Sequence, residues 1–376
     1  MPAIPTFYAI QVNGAPLPRR FLDAVRQIEV ETSTEQASAF RLQFDLSKTP
    51  AGDWDLLKID LFRPQTPVGI GISLGKRPEM LINGYVQEAR IDSRTEPGRA
   101  TLEVVGFDAT SALMNLGSQD KPWPNQSDSI IATQIFADYK MVPVVEPTPS
   151  ARTVQQVTTV QGVSDIRFLK LLARRNSYEC YVQPGPIQGK DLGHFHPSRL
   201  TSPSQAVLSV NFGTATNMEG FHVRDAGTQA TSTRSAFIDP ITKAIQKVPV
   251  QAATERPMGR EPALGRVRSR PVARLTGTHS ANVGELMSRS RAVVNESSRA
   301  LRGSGTVDGL KLGRVLRPGL PVLVRGAGRE HSGLYYVTQI RHEISDQGHS
   351  QIFEAWRNSV GLTGTEAFVD LFAALS

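Results

Sequence analysis

Between residues 7 and 110 the apolar positions recur mostly with a period of two. Phe40-Arg41-Leu42-Gln43-Phe44-Asp45-Leu46 alternates cleanly, and Leu57-Lys58-Ile59-Asp60-Leu61-Phe62 does the same before Pro64. Such alternation predicts antiparallel strands with one face buried. Phe7–Val12 ends at Asn13-Gly14, a tight-turn dipeptide. Val25–Glu31, Leu81–Ile91 and Ala100–Phe107 complete a run of short strands broken by turn residues such as Glu96-Pro97-Gly98. Strands of this length and spacing predict a small barrel or sandwich.

After about residue 112 the period lengthens. Ser127 is placed to cap a helix through Tyr139, with Ile131, Ile135 and Tyr139 on one stripe and Ala132 and Phe136 beside it. Met141–Val145 reads as a strand. A second helix follows, with Ser164 as N-cap, Asp165 at the positive end of its dipole and Phe168, Leu169, Leu172 and Ala173 facing inward. Tyr178–Gln183 is the strand after it. Residues 205–224 return to a β pattern, and 225–278 are polar with scattered Pro and Gly, a long extension with room for a hairpin. Ala281–Leu301 has helical spacing, with Gly303 and Gly305 as its stop. Val322–Val324, Tyr335–Ile340 and Ser350–Trp356 read as strands, and Phe368–Leu375 as a short helix. The expected organisation is a β domain at 1–112, an α/β domain at 113–204, and a second β domain at 205–360 carrying the polar insertion and a helix at 281–302. A tail covers 361–376.

The chain of 376 residues is long enough for two or three cores. Its one cysteine, Cys180, excludes an internal disulfide and reads as a small buried hydrophobe in a reducing compartment. No apolar run reaches the ~18 residues a membrane span needs, and Met1–Pro5 does not open a secretory leader. Charge is uneven: residues 1–187 hold 19 basic and 20 acidic side chains, and 188–376 hold 23 and 15. Arg256, Arg260, Arg266, Arg268, Arg270 and Arg274 form the densest basic stretch. It reads as a solvated loop, because prolines and glycines interrupt it, or as a contact for an acidic partner or nucleic acid.

Catalytic patterns are sparse. The sequence has no HExxH or Walker A motif and no calcium loop, and its GxSxG match, Gly71-Ile72-Ser73-Leu74-Gly75, lies between β segments rather than opening a helix. Gly69-Ile70-Gly71 and Gly303-Ser304-Gly305 read as turns, not phosphate cradles. His194-Phe195-His196 sets two imidazoles on one side of a strand, but no third ligand is near in sequence. His331 and His349 stand isolated. No catalytic residue, metal or cofactor is assigned.

The run Val163-Ser164-Asp165-Ile166-Arg167-Phe168-Leu169-Lys170-Leu171-Leu172-Ala173-Arg174-Arg175-Asn176-Ser177-Tyr178 resembles the "sD-x-x-FL-x-x-LA-x-x-x-gY" signature of phage tail hubs. That group comprises the phage late control protein D family, the T4-like tail hub and the N-terminal part of the type VI secretion spike protein VgrG. Asp128–Tyr139 with Met141-Val142-Pro143 is similar to the segment before the signature. Gly319, Gly333, Tyr335 and His342 fit the family's C-terminal pattern, and Gly84 and Gly106 fit in order. The resemblance covers about 7–224 and 281–358, and 225–278 departs from it.

The resemblance implies a mainly β subunit with an α/β insertion and two small antiparallel barrel-like domains. Three such subunits would form a trimeric ring. A non-enzymatic baseplate hub would then join a sixfold inner tube to a threefold spike and transmit force. The implied partners are two further copies, a separate trimeric spike protein, the inner tube or tube-initiator proteins and other baseplate components. Neither membrane insertion nor nucleic-acid binding is expected. The particle would be made in the bacterial cytoplasm. Two other readings stay open: a basic module for nucleic acid or another anionic polymer, and a tail enzyme that degrades cell wall.

Overall fold

The computed structural model describes residues 8–56, 61–74, 78–93, 100–148, 152, 158–185, 190–225, 231–239, 242–266, 271–276, 280 and 282–368. The alternating segments at both ends of the chain enter one sheet of 13 strands. Its order from one edge is Met218–Asp225, Leu301–Asp308, Gly348–Arg357, Gly333–Ser345, Val25–Ser33, Ala39–Leu46, Ala100–Asp108, Glu79–Ser93, Pro67–Ile72, Tyr8–Val12 and Ala15–Pro16. Pro321–Arg325 branches from Gly333–Ser345 and carries Val207–Ser209. The Asn13-Gly14 turn has positive φ at both residues, as the tight hairpin into Ala15–Pro16 requires.

The order is nearly palindromic about the seam between Val25–Ser33 and Gly333–Ser345. On each side comes the hairpin partner, Ala39–Leu46 or Gly348–Arg357. Next is a strand ending in an aspartate that caps a four-residue helix. Asp108 accepts from the Thr110 amide, and Asp308 from those of Leu310 and Lys311. Last is that strand's antiparallel partner, Glu79–Ser93 or Met218–Asp225.

Each side has its own core. Ile28, Phe40, Leu42, Phe44, Val68, Ile70 and Val104 fill the first, and Val307, Leu316, Val322, Tyr335, Val337, Ile340 and Phe353 the second. Edge pairing joins them, with six residue pairs from Gln339–Ser33 to Ile344–Ile28 and an Arg341–Glu31 bridge of 3.0 Å. The chain is therefore mainly β, as expected. Among the described residues, however, the strand pairing leaves both halves open instead of closing barrels.

Between the halves, helices Asp128–Asp138 and Asp165–Asn176 pack on a three-stranded sheet of Tyr178–Gln183, Leu192–Pro197 and Val142–Val145. Trp123, Ile131, Phe136, Phe168, Leu169, Leu172, Ala173 and Phe195 form this layer's core, with Cys180 buried among them.

Four expectations are corrected. Residues 225–278 are more than an extension. Ser232–Ile238 pairs antiparallel with Ile245–Val250 and parallel with Val272–Thr276, under the helix Val283–Ser298. Two of the three inward positions of Ser232–Ile238 are Thr233 and Ser235, so hydropathy does not alternate there although burial does. The long helix stops at Ser298, not Leu301. Gly303 and Gly305 lie inside Leu301–Asp308, where a Cβ would meet the rings of Phe221, Tyr335 or Phe353 at 2.9–3.0 Å. Gly69 and Gly71 likewise lie in Pro67–Ile72. Of the strand expected at 57–62, residues 57–60 lie outside the described residues, and Leu61–Phe62 are irregular.

Candidate functional site

The signature residues sit in two buried junctions. The first surrounds the helix Asp165–Asn176. Ser164 precedes it in an extended conformation, but its hydroxyl does not cap the helix; it donates to Asn115 at 2.8 Å. Asp165 accepts from the Tyr139 hydroxyl at 2.7 Å and from Gln161 Nε2 at 2.6 Å. Gln161 is fully buried and accepts from the Trp123 indole. Burial and the Asp165 hydrogen bond push the Tyr139 phenol well above its ordinary range. At the other end Arg175 binds the buried Asp128 carboxylate through two nitrogens, and Asn176 adds a third donor at 2.6 Å. Tyr178 packs on Phe195 and donates to the Pro147 carbonyl at 2.7 Å. Lys170 reaches the Glu35 carbonyl in the first hairpin.

The second junction joins this layer to the C-terminal half. The buried Glu179 carboxylate accepts from the Tyr336 and Ser198 hydroxyls, both at 2.7 Å. Desolvation raises its pKa, against the opposing pull of those donors and of Arg299. Arg299 binds Glu255 at 2.6 Å and lies 4.4 Å over the Trp356 ring. Tyr181 stacks on His194 at 4.5 Å. Gly319, at φ +81°, lies so close to Tyr181 that a Cβ would sit 2.4 Å from its hydroxyl. Gly333 has φ +132°, and a Cβ there would fall 2.6 Å from the fully buried Arg357. That guanidinium donates to the carbonyls of Ser332, Met258 and Gly361, tying three segments together. Tyr335 is fully buried and donates to the His331 carbonyl at 2.9 Å.

The histidines are engaged with one another. The Pro197 carbonyl can only accept, so His196 Nδ1 carries a proton and Nε2 accepts from His194 Nδ1 at 3.0 Å. That leaves His194 Nε2 a buried acceptor with no partner among the described residues. Burial, then the neighbouring His196 and Arg199, lower the His194 pKa to about 3. His349, which reads as isolated in sequence, stacks on buried His342 with facing nitrogens 3.2 Å apart. Sequence distance hides that pair, although the hairpin register of Gly333–Ser345 with Gly348–Arg357 brings it together. No group of three or more His, Cys, Asp or Glu able to hold a metal occurs among the described residues. Burial pushes the Cys180 thiol up to about 12, which makes it a poor nucleophile at neutral pH.

The arginine run is dispersed. Arg256 and Arg260 are exposed beside the C-terminal strand Ser359–Val360. Arg266 faces Glu330 at 3.5 Å on the surface. Arg274 lies in the strand Val272–Thr276, and Arg268 and Arg270 lie outside the described residues. No helix is long and apolar enough to cross a membrane among the described residues.

A family model described as the Alg8 N-terminal domain matches residues 4–346. No curated protein sequence matches the chain. Solved structures do. A tail protein from Neisseria meningitidis MC58 superposes with TM-score 0.68 at 13% identity, covering 94% of this chain and 96% of that one. The 43 kDa tail protein of prophage MuSo2 from Shewanella oneidensis gives 0.67 at 14%, over 94% and 98%. An E. coli component of the type VI secretion system, described as structurally similar to T4 bacteriophage tail proteins, gives 0.57 at 13%, over 93% and 77%. At these identities the likeness is one of fold.

Proposed function

The chain belongs to the Alg8 N-terminal domain family, and from the fold it shares with phage tail proteins we propose that it is a structural hub of a tail baseplate. The observation that carries this reading is end-to-end correspondence: more than nine-tenths of this chain and of two tail proteins superpose. Buried carboxylates and histidines here are bound to hydroxyls, amides and each other in interlocks between layers, which suits a part that bears load. In this reading three copies form a ring whose six β halves meet a sixfold tube, while the threefold axis meets a separate spike. The paired, nearly palindromic halves supply the doubling this needs. The proposed units are 1–112, 113–204 and 205–360, with a tail at 361–376.

Ser164, Asp165, Phe168, Leu169, Leu172, Ala173, Tyr178, Gly319, Gly333, Tyr335 and His342 are proposed to act structurally, by holding the layers in register. The test is the mass of the full chain by light scattering, alone and co-expressed with the neighbouring spike protein. A trimer, or a trimer carrying three spike chains, is expected. A monomer in both samples overturns the reading.

A further inference from the structure

The three-stranded sheet of the insertion buries one face against the helix Val283–Ser298 through Phe237, Val248 and Leu286. Its other face has no cover among the described residues. In register there, Arg234 lies directly beside Arg274 on the parallel neighbour, and Lys247 is opposite Ala236, diagonal to Arg234. Like charges directly opposite one another destabilise a sheet. None of the three has an ion-pair or hydrogen-bond partner for its side chain among the described residues, and the three strands contain no carboxylate at all. Beside the cations, Ile238 and Ile245 are paired and 61% and 67% exposed, and Val272 is 42% exposed. Single exposed apolar residues are ordinary, but three on one small cationic face call for an acidic, apolar cover.

The chain contains a segment of that chemistry. Glu366-Ala-Phe-Val-Asp-Leu-Phe-Ala-Ala-Leu375 carries two carboxylates, no cation and five large apolar side chains. Glu366 is held by the amides of Thr363 and Gly364 at 2.7 and 2.8 Å, so the segment begins at a fixed turn. We infer that the outer face of the insertion sheet docks the segment Glu366–Leu375 of a second copy of this chain. The inference rests on the ring reading above, in which copies lie side by side.

Zero-length carbodiimide coupling of a lysine amine to a carboxylate provides the test on full chains. Lys247→Arg chains and Glu366→Gln/Asp370→Gln chains each lack one reacting end, so neither links Lys247 to the tail alone. Co-expressed, they are expected to give the Lys247–Asp370 or Lys247–Glu366 link between chains, read by mass spectrometry. Arg234→Glu/Arg274→Glu is expected to abolish that link. A link in the wild type but not in the co-expressed pair means contact within one chain and overturns the second-copy assignment. No link in a sample that scatters as a trimer overturns the docking and leaves the ring reading standing. No link in a monomer overturns both. Duplex DNA bound at low salt by the wild type but not by Arg234→Glu/Arg274→Glu, with no link, would assign the face to nucleic acid and overturn the proposal.

Discussion

Gly333 shows how one residue type is imposed by its surroundings. Its φ of +132° is strained for any side chain, and the missing Cβ makes room for Arg357. Gly333→Ala is expected to cost about 2–3 kcal/mol in urea unfolding. Tyr336→Phe removes one of two hydroxyl donors from the buried Glu179 carboxylate, with an expected loss of about 1–3 kcal/mol. Acid should act through the histidines. His194 and His349 have folded pKa values lowered to about 3 and about 4, chiefly by burial. The unfolded chain therefore binds more protons below about 6.5, and stability falls as pH drops from there towards those folded values. At pH 5 each imidazole is expected to cost roughly 2 kcal/mol. Asp108, Glu179 and Asp191, whose folded pKa values burial raises, act in the opposite sense as pH falls through those raised values. Comparing His194→Gln with the wild type isolates the imidazole: the variant should lose less stability between pH 6.5 and 4.5.

At the scale of elements, the helix Asp165–Asn176 is held by its ends as much as by its apolar stripe. Phe168, Leu169, Leu172 and Ala173 face the core as their spacing predicts. The Arg175–Asp128 pair is nearly buried, with side-chain exposures of 15% and 6%. Arg175→Ala strands Asp128 with Asn176 as its remaining side-chain donor, and breaking such a pair typically costs about 3–5 kcal/mol. The expected signature is a lower urea midpoint with the layer's amides exchanging faster than those of the main sheet. Of this site the apolar stripe and Asp165 were legible in sequence. The partners Tyr139, Gln161 and Asp128 were not, because they lie between 4 and 47 residues away with no pattern linking them.

At the scale of the molecule, the seam strands make two cores into one continuous sheet. The three tryptophans report on different parts of it: Trp54 packs against the first core, Trp123 lies in the middle layer, and Trp356 lies beneath Arg299 near the second core. Six seam pairs and the buried junctions at Glu179 and Gly319 couple these parts. In each variant keeping a single tryptophan, the fluorescence midpoint in urea is therefore expected to coincide with that variant's far-ultraviolet circular dichroism midpoint. Midpoints that separate would show the halves unfolding independently across the seam.

Alternation of apolar and polar side chains decided by itself that both ends of this chain are β, because a period of two can bury one face only in an extended strand. A 3.6-residue period with an acidic first turn decided the helix at Asp165 in the same way. Which strand lies beside which was not local information. The seam pairs residues more than 300 positions apart, and main-chain hydrogen bonds there carry no side-chain code. Beyond a hairpin, the insertion's sheet was not legible, because polar threonine and serine take buried places, where Ser235 bonds Ser290 on the covering helix. Burial at such a site is set by the partner that satisfies the hydroxyl, and only the tertiary structure supplies that partner.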